Sequence, residues 1–172
     1  IVLDLQTKAG KDAFQKIAAQ VDIVAENYRP GTMSRLGLGP EQLRINHKEL
    51  IYVSISGFGQ TGPYASRPGY DLIAQGMSGM MSVTGYPDSP PVKVSIPIGD
   101  LSAGMFAAYG VLSAYIHRLK TGQGQVVETS LLESAIALTV WESAELWGTE
   151  QTPTPKGSAH RMVAPYQALA TS

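Results

Sequence analysis

The chain of 172 residues has no cysteine. This removes disulfides, thiolate metal ligands and a cysteine nucleophile, and fits a cytoplasmic enzyme, with a mitochondrial or peroxisomal location open for a eukaryotic source. Charge is sparse and balanced: charged residues form 16% of the chain, and 13 basic against 14 acidic residues leave a net charge of -1. A nucleic-acid binder gathers a basic excess into a patch or stripe, so no nucleic acid is expected as a partner. No run of about 18 apolar residues occurs, and no basic segment leads into a short apolar one; neither a membrane span nor a signal peptide is expected. The only histidines, His47, His117 and His160, are far apart and show no metal-ligand spacing, so no metal is expected. His117 beside Arg118 suits a helix C-terminus, and His47 and His160 fall in polar, loop-like stretches. Hydrophobic residues at 44% argue against disorder, and the length suffices for a buried core.

Glycine and proline are abundant, 18 and 11 residues, together above the average share of about 12%. The chain opens at Ile1 without a methionine, and Ile1–Leu5 reads as a buried strand, so an interior piece of a longer protein is expected. Apolar residues at Ala13, Phe14, Ile17 and Ala18 make 10–20 an amphipathic helix. Strands are expected at 21–25, 51–55 and 125–130, and short helices at 32–36 and 40–46, split by Gly37 and Gly39. Residues 70–81 read as partly helical, 101–119 as the longest helix and 132–146 as another. Ala103, Gly104, Ala107, Ala108, Gly110, Ser113 and Ala114 form the small, inward-facing residues of the long helix. Strands alternating with helices imply a doubly wound, Rossmann-like, largely parallel α/β sheet.

Gly57-x-Gly59-x-x-Gly62 follows a strand and fits the dinucleotide fingerprint in spacing, but Pro63 and Pro68 follow where a helix should open, so neither nicotinamide nor flavin is expected. The glycines instead shape a loop at a strand's carboxyl end. Gly76-Met-Ser78-Gly-Met80 lacks the final glycine and the preceding strand of a nucleophile elbow. Asp100, at the start of the long helix, is either an N-cap or a carboxylate nucleophile kept ionised by helix amides, and position alone leaves both open. Asn27, Arg29 and Arg35 gather at a strand end and helix start, where charge-assisted hydrogen bonds could hold phosphates or carboxylates, or where the arginines are simply solvated.

Several blocks, in order, resemble the family III CoA-transferases, the CaiB/BaiF group that also contains carnitine-CoA transferases and α-methylacyl-CoA racemases. They are Leu3-Asp-Leu5 with Gly10-Lys11, Asp22 to Gly31, Arg35-Leu-Gly-Leu38, Ser56 to Tyr64, Pro68-Gly-Tyr-Asp71, Gly99-Asp100 and Lys120 to Gln125. The resemblance covers about residues 1–138 and implies that 1–147 form part of a Rossmann-like large domain, with 148–172 leading toward a small domain. It implies acyl-CoA and a carboxylic acid as substrates and an interlocked homodimer at full length. The family's nucleophilic aspartate falls on Asp100, which would form a mixed anhydride and then an enzyme-CoA thioester. CoA contacts map onto Leu3, Gln6, Asn27, Tyr28, Arg29 and Arg35, with Ser56, Gly57 and Phe58 near the pantetheine and thioester. Some members carry lysine at the place of Gln6. A racemase is the alternative, but its histidine position is held by Tyr70, whose ordinary pKa near 10 suits it poorly as a base; Tyr70 is expected to line the acyl pocket. A non-catalytic CoA-binding piece is the remaining alternative.

Overall fold

A computed structural model describes residues 1–171; the last position of the segment expected over 148–172 lies outside the described residues. The elements are α1 (Lys8–Ala18), β1 (Ile23–Glu26), α2 (Thr32–Leu36), α3 (Pro40–Asn46), β2 (Ile51–Ser56), α4 (Asp71–Met77), α5 (Met80–Val83), α6 (Ile98–Thr121), β3 (Val126–Ser130), α7 (Leu131–Leu138) and α8 (Val140–Thr149). They belong to two compact units. One holds Ile1–Gly69 and Ala103–Ser130, the other Tyr70–Ser102 and the chain from Leu131 onward.

The first unit is a three-stranded parallel sheet in the order β1-β2-β3. Val24 pairs with Tyr52 and Val53 with Val127, and the two-residue alternation of a strand sends these pairs to opposite faces. On one face Val24, Leu50 and Tyr52 bury against Ala18 and Phe14 of α1 and Leu43 of α3. On the other, Ile51, Val53 and Val127 pack on Ala107, Val111 and Ala114 of α6. Helices on both faces leave β2 buried along nearly its whole length and apolar over Ile51–Val53, as expected for a doubly covered parallel strand. Burying each of the fully buried Leu, Ile and Val side chains here contributes about 1.5–3 kcal/mol. Gly110 completes the contact: a Cβ there would lie 2.6 Å from Val127 Cγ1.

Three sequence expectations change. Ile1–Leu5 is not a strand. Ile1 and Val2 are exposed, and Asp4 turns the chain by accepting from the Gln6 amide at 2.9 Å and, through its carbonyl, from the Thr7 amide at 3.1 Å. Thr7 then caps α1, accepting from the Gly10 amide at 3.0 Å. The helix expected over 132–146 is two helices parted at Thr139, whose hydroxyl bonds back to the Ile136 carbonyl at 2.8 Å and competes with the helix ladder. Of the small residues on α6, Ala103, Ala107 and Ala114 are buried, whereas Gly104, Ala108 and Ser113 face solvent, because the sheet takes one stripe of the helix only.

Ile51 is fully buried in the second cluster. Ile51→Ala should destabilise the first unit by about 2–5 kcal/mol, read as a lower urea midpoint.

Candidate functional site

Because β1 and β2 are parallel and register Glu26 beside Ser54, the segments that leave them emerge at the same edge of the sheet. Open α/β sheets bind ligands at this carboxyl edge. Asn27, Tyr28 and Arg29 follow β1 and are exposed; the Tyr28 amide donates to Glu26 Oε2 at 2.8 Å, which tightens the exit. Gly31 at φ +76 then starts α2. Arg35 on α2 is exposed, its Nη2 donating to Thr32 Oγ1 at 2.9 Å. Ser56 ends β2 and is buried, its hydroxyl accepting from the Gly59 amide at 3.0 Å. Gly57 lies against Gly69: a Cβ on either glycine would come within 2.5 Å of the other's Cα. That approach closes the loop 57–69 on itself, with Phe58 edge-on to Tyr64 and Arg67 over the Tyr64 ring at 4.3 Å. Gln60 Nε2 is buried in this loop without a hydrogen-bond partner among the described residues. No helix opens at Gly62; the next one, α4, begins at Asp71. Leu3 is half-buried and Gln6 exposed, both just ahead of α1.

The second unit holds Tyr70, which is 74% exposed, and Asp100. The N-cap expectation for Asp100 does not hold. The first helical bond of α6 runs from the Leu101 amide to the Pro97 carbonyl at 3.0 Å, so Pro97 is the cap residue and Asp100 the third position of the first turn. Proline offers no capping side chain, and the cap comes from elsewhere: Asp71 Oδ1 accepts from the Gly99 amide at 2.7 Å. Asp71 Oδ2 accepts from Gln75 Nε2 at 2.7 Å. Gln75 is completely buried, and its Oε1 accepts from the Val94 amide at 2.8 Å.

Asp100 itself is exposed at its helix start. Its carboxyl is pushed above the ordinary aspartate range, first by partial loss of solvent and then by the negative charge of Asp71. Sequence reading placed Asp71 in a motif block without a role and missed Gln75. A glutamine in an otherwise apolar helical stretch was the available signal, but its partner at residue 94 lies in a segment without periodicity.

His160 lies in a loop, as expected, but packs against aromatic neighbours rather than in purely polar surroundings. It is half-buried, stacked on Tyr166 at 4.9 Å and edge-on to Trp141 at 4.6 Å, and its Nδ1 accepts from the amides of Met162 and Val163. Among the described residues no group of three or more His, Asp or Glu is gathered as a metal-ion site, and no helix is long and apolar enough to cross a membrane.

The sequence model of CoA-transferase family III matches residues 1–172. The chain belongs to this family. Among family III relatives, it is 37% identical over 172 residues to a succinate–glutarate CoA-transferase of Agrobacterium fabrum, covering all of this chain and 43% of that protein. It is 44% identical over 138 residues to a succinyl-CoA–D-citramalate CoA-transferase of Chloroflexus aurantiacus, covering 80% of this chain and 34% of that one. The fold superposes on the crystal structure of a CaiB/BaiF family protein from Brucella suis with a TM-score of 0.92 at 37% identity, covering all of this chain and 46% of that chain. The chain thus spans less than half the length of these relatives.

The raised carboxyl of Asp100 carries a stability consequence. The folded state holds this proton more tightly than the unfolded chain does. Its contribution is therefore complete below the unfolded pKa, about 4, and is lost as pH rises through the folded value. At neutral pH the ionised group opposes folding. Asp100→Asn should accordingly melt higher than the parent at pH 7, and the gap should close on acidification to pH 3.

Proposed function

We propose that the full-length protein moves CoA from an acyl-CoA donor to a carboxylic acid acceptor, with Asp100 as the nucleophile. The observation that carries this reading is an exposed carboxylate of raised proton affinity at the first turn of a long helix, preceded by a buried glycine. Family membership and the transferase names of the relatives support the same class of reaction.

A carboxylate is a weak nucleophile, and the reaction succeeds because each intermediate is itself activated. An Asp100 oxygen attacks the thioester carbonyl, the carbon–sulfur bond breaks, and CoA leaves as thiolate. The thiolate attacks the aspartyl carbonyl of the resulting mixed anhydride, releasing the donor as a free carboxylate and leaving an aspartyl-CoA thioester. The acceptor carboxylate attacks that thioester, forming a second anhydride and freeing the thiolate again. The thiolate then takes the acceptor's acyl group and Asp100 returns as carboxylate. No net proton is consumed, which suits a site with no histidine assigned to acid-base work. Higher proton affinity makes Asp100 a better nucleophile than a free surface aspartate.

In this reading CoA is held by Leu3, Gln6, Asn27, Tyr28, Arg29 and Arg35, with Ser56, Gly57 and Phe58 along the pantetheine. The two arginines are exposed and suited to the phosphates. Tyr70 lines the acyl side. The reading also takes residues 1–147 as part of the large domain, 148–172 as the link to a small domain, and the full-length protein as an interlocked cytoplasmic homodimer. Its support on these points is the family resemblance.

In the full-length protein, supplied with an acyl-CoA and a panel of carboxylic acids, Asp100→Ala should lower formation of new CoA thioesters on the order of 10³-fold or more while still binding CoA. Undiminished exchange would overturn the assignment. Arg35→Ala should raise KM for the acyl-CoA about tenfold, the loss of one charge-assisted contact of about 1.5 kcal/mol, with kcat little changed.

A further inference from the structure

We propose that Asp71 is the positioning residue of the nucleophile: its carboxylate, braced by buried Gln75, holds the Gly99 amide and with it the turn that presents Asp100. This rests on the assignment of Asp100 as nucleophile and deepens it.

The first turn of a helix leaves its amides without internal partners, and a side chain at the cap normally satisfies one of them. Here the cap residue is Pro97, and the acceptor reaches in from α4, with Asp71 Oδ1 2.7 Å from the Gly99 nitrogen. Glycine permits this approach: a Cβ at 99 would lie 3.0 Å from that same oxygen and 3.6 Å from Ala74 Cβ. The other carboxylate oxygen is not free to swing, because Gln75 Nε2 binds it at 2.7 Å. Gln75 is in turn locked, fully buried, with its Oε1 on the Val94 amide at 2.8 Å. One chain of hydrogen bonds therefore ties both ends of segment 94–99 to α4, and that segment delivers Asp100.

A cap alone needs one neutral acceptor. Asparagine would serve, and would avoid a second negative charge next to a carboxylate. The charge of Asp71 instead acts on Asp100 and adds to the burial that raises its proton affinity. The acidic groups on the packed elements are Asp71 at the start of α4 and Glu133 in the first turn of α7, and the repulsion acting on Asp100 comes from Asp71. Position and nucleophilicity are thus set through the same side chain.

The test uses the full-length protein with Asp71→Asn, Asp71→Ala and Asp100→Ala. Asp71→Asn retains an acceptor for Gly99 but removes the charge. Its acid limb in the pH profile of kcat should move to lower pH, because Asp100 loses its repelling neighbour and stays ionised further into acid, and kcat at neutral pH should fall severalfold. Asp71→Ala should lose 10- to 100-fold in kcat with KM for acyl-CoA within about threefold of the parent. Asn in place of Asp should therefore restore part of what Ala loses. The inference is overturned if both variants keep kcat within twofold and the acid limb stays in place, if the loss in Asp71→Ala appears in KM alone, or if Asp71→Asn fails to fold, which would make the carboxylate purely structural. If Asp100→Ala itself retains exchange, the reading beneath fails together with this inference; if Asp100→Ala is inactive and the Asp71 variants behave as the parent, the positioning role alone fails.

Discussion

The hydrogen bond from the Gly99 amide to Asp71 decides where the 24-residue helix α6 begins. Pro97 cannot offer a capping side chain, so without Asp71 an amide of the first turn would be left without its protein acceptor, and only the Gln75 contacts to Val94 and Ile96 further back along the segment would tie it to α4 by hydrogen bonds among the described residues. The arrangement has a cost. Two carboxylates stand near one another, and the one at residue 100 is driven toward its protonated form. Such local conflict with stability is what a functional site shows when the surrounding structure over-determines it, here through Gln75 and its two well-made hydrogen bonds.

In the first unit the governing constraint is β2. Covered on both faces and paired on both edges, it has no tolerance for polar side chains before its end, and the chain turns polar at Ser54 and Ser56 as it approaches the carboxyl edge. The loop that follows is set by the Gly57–Gly69 backbone contact, which any side chain at either position would force apart. The polar residues after β1 and those after β2 reach the same edge simply because the strands are parallel and in register. Asn27, Tyr28, Ser56 and Gly57, among the proposed CoA contacts, lie at this edge.

Much of this is legible from the sequence where the signal is local. The two short helices 32–36 and 40–46 are bounded by glycines and a first-turn proline, and the structure has them at those limits. β2 shows itself in the β-branched and aromatic run Ile51-Tyr52-Val53. Ile1–Leu5 misleads because apolar residues alone do not make a strand: a turn at Asp4 and a cap at Thr7 use the backbone first. The break at Thr139 escapes because one hydroxyl, within an unbroken helical pattern, competes with the ladder. The site is harder still. Asp100 stands out by its place at a helix start, but the acceptor for the neighbouring Gly99 amide lies 28 residues before that glycine, and whether an aspartate at a helix start caps the helix or the cap comes from another helix is a tertiary fact. Family resemblance singles out Asp100; only the structure shows that Asp71 accepts from the neighbouring Gly99 amide.

The central claim is that the Asp100 carboxylate becomes covalently acylated during turnover. Borohydride added to the full-length protein in the presence of an acyl-CoA should reduce the trapped aspartyl intermediate, and peptide mass spectrometry should find homoserine at residue 100, dependent on the acyl-CoA. Exchange that proceeds while residue 100 stays aspartate and another side chain carries the modification would contradict the account.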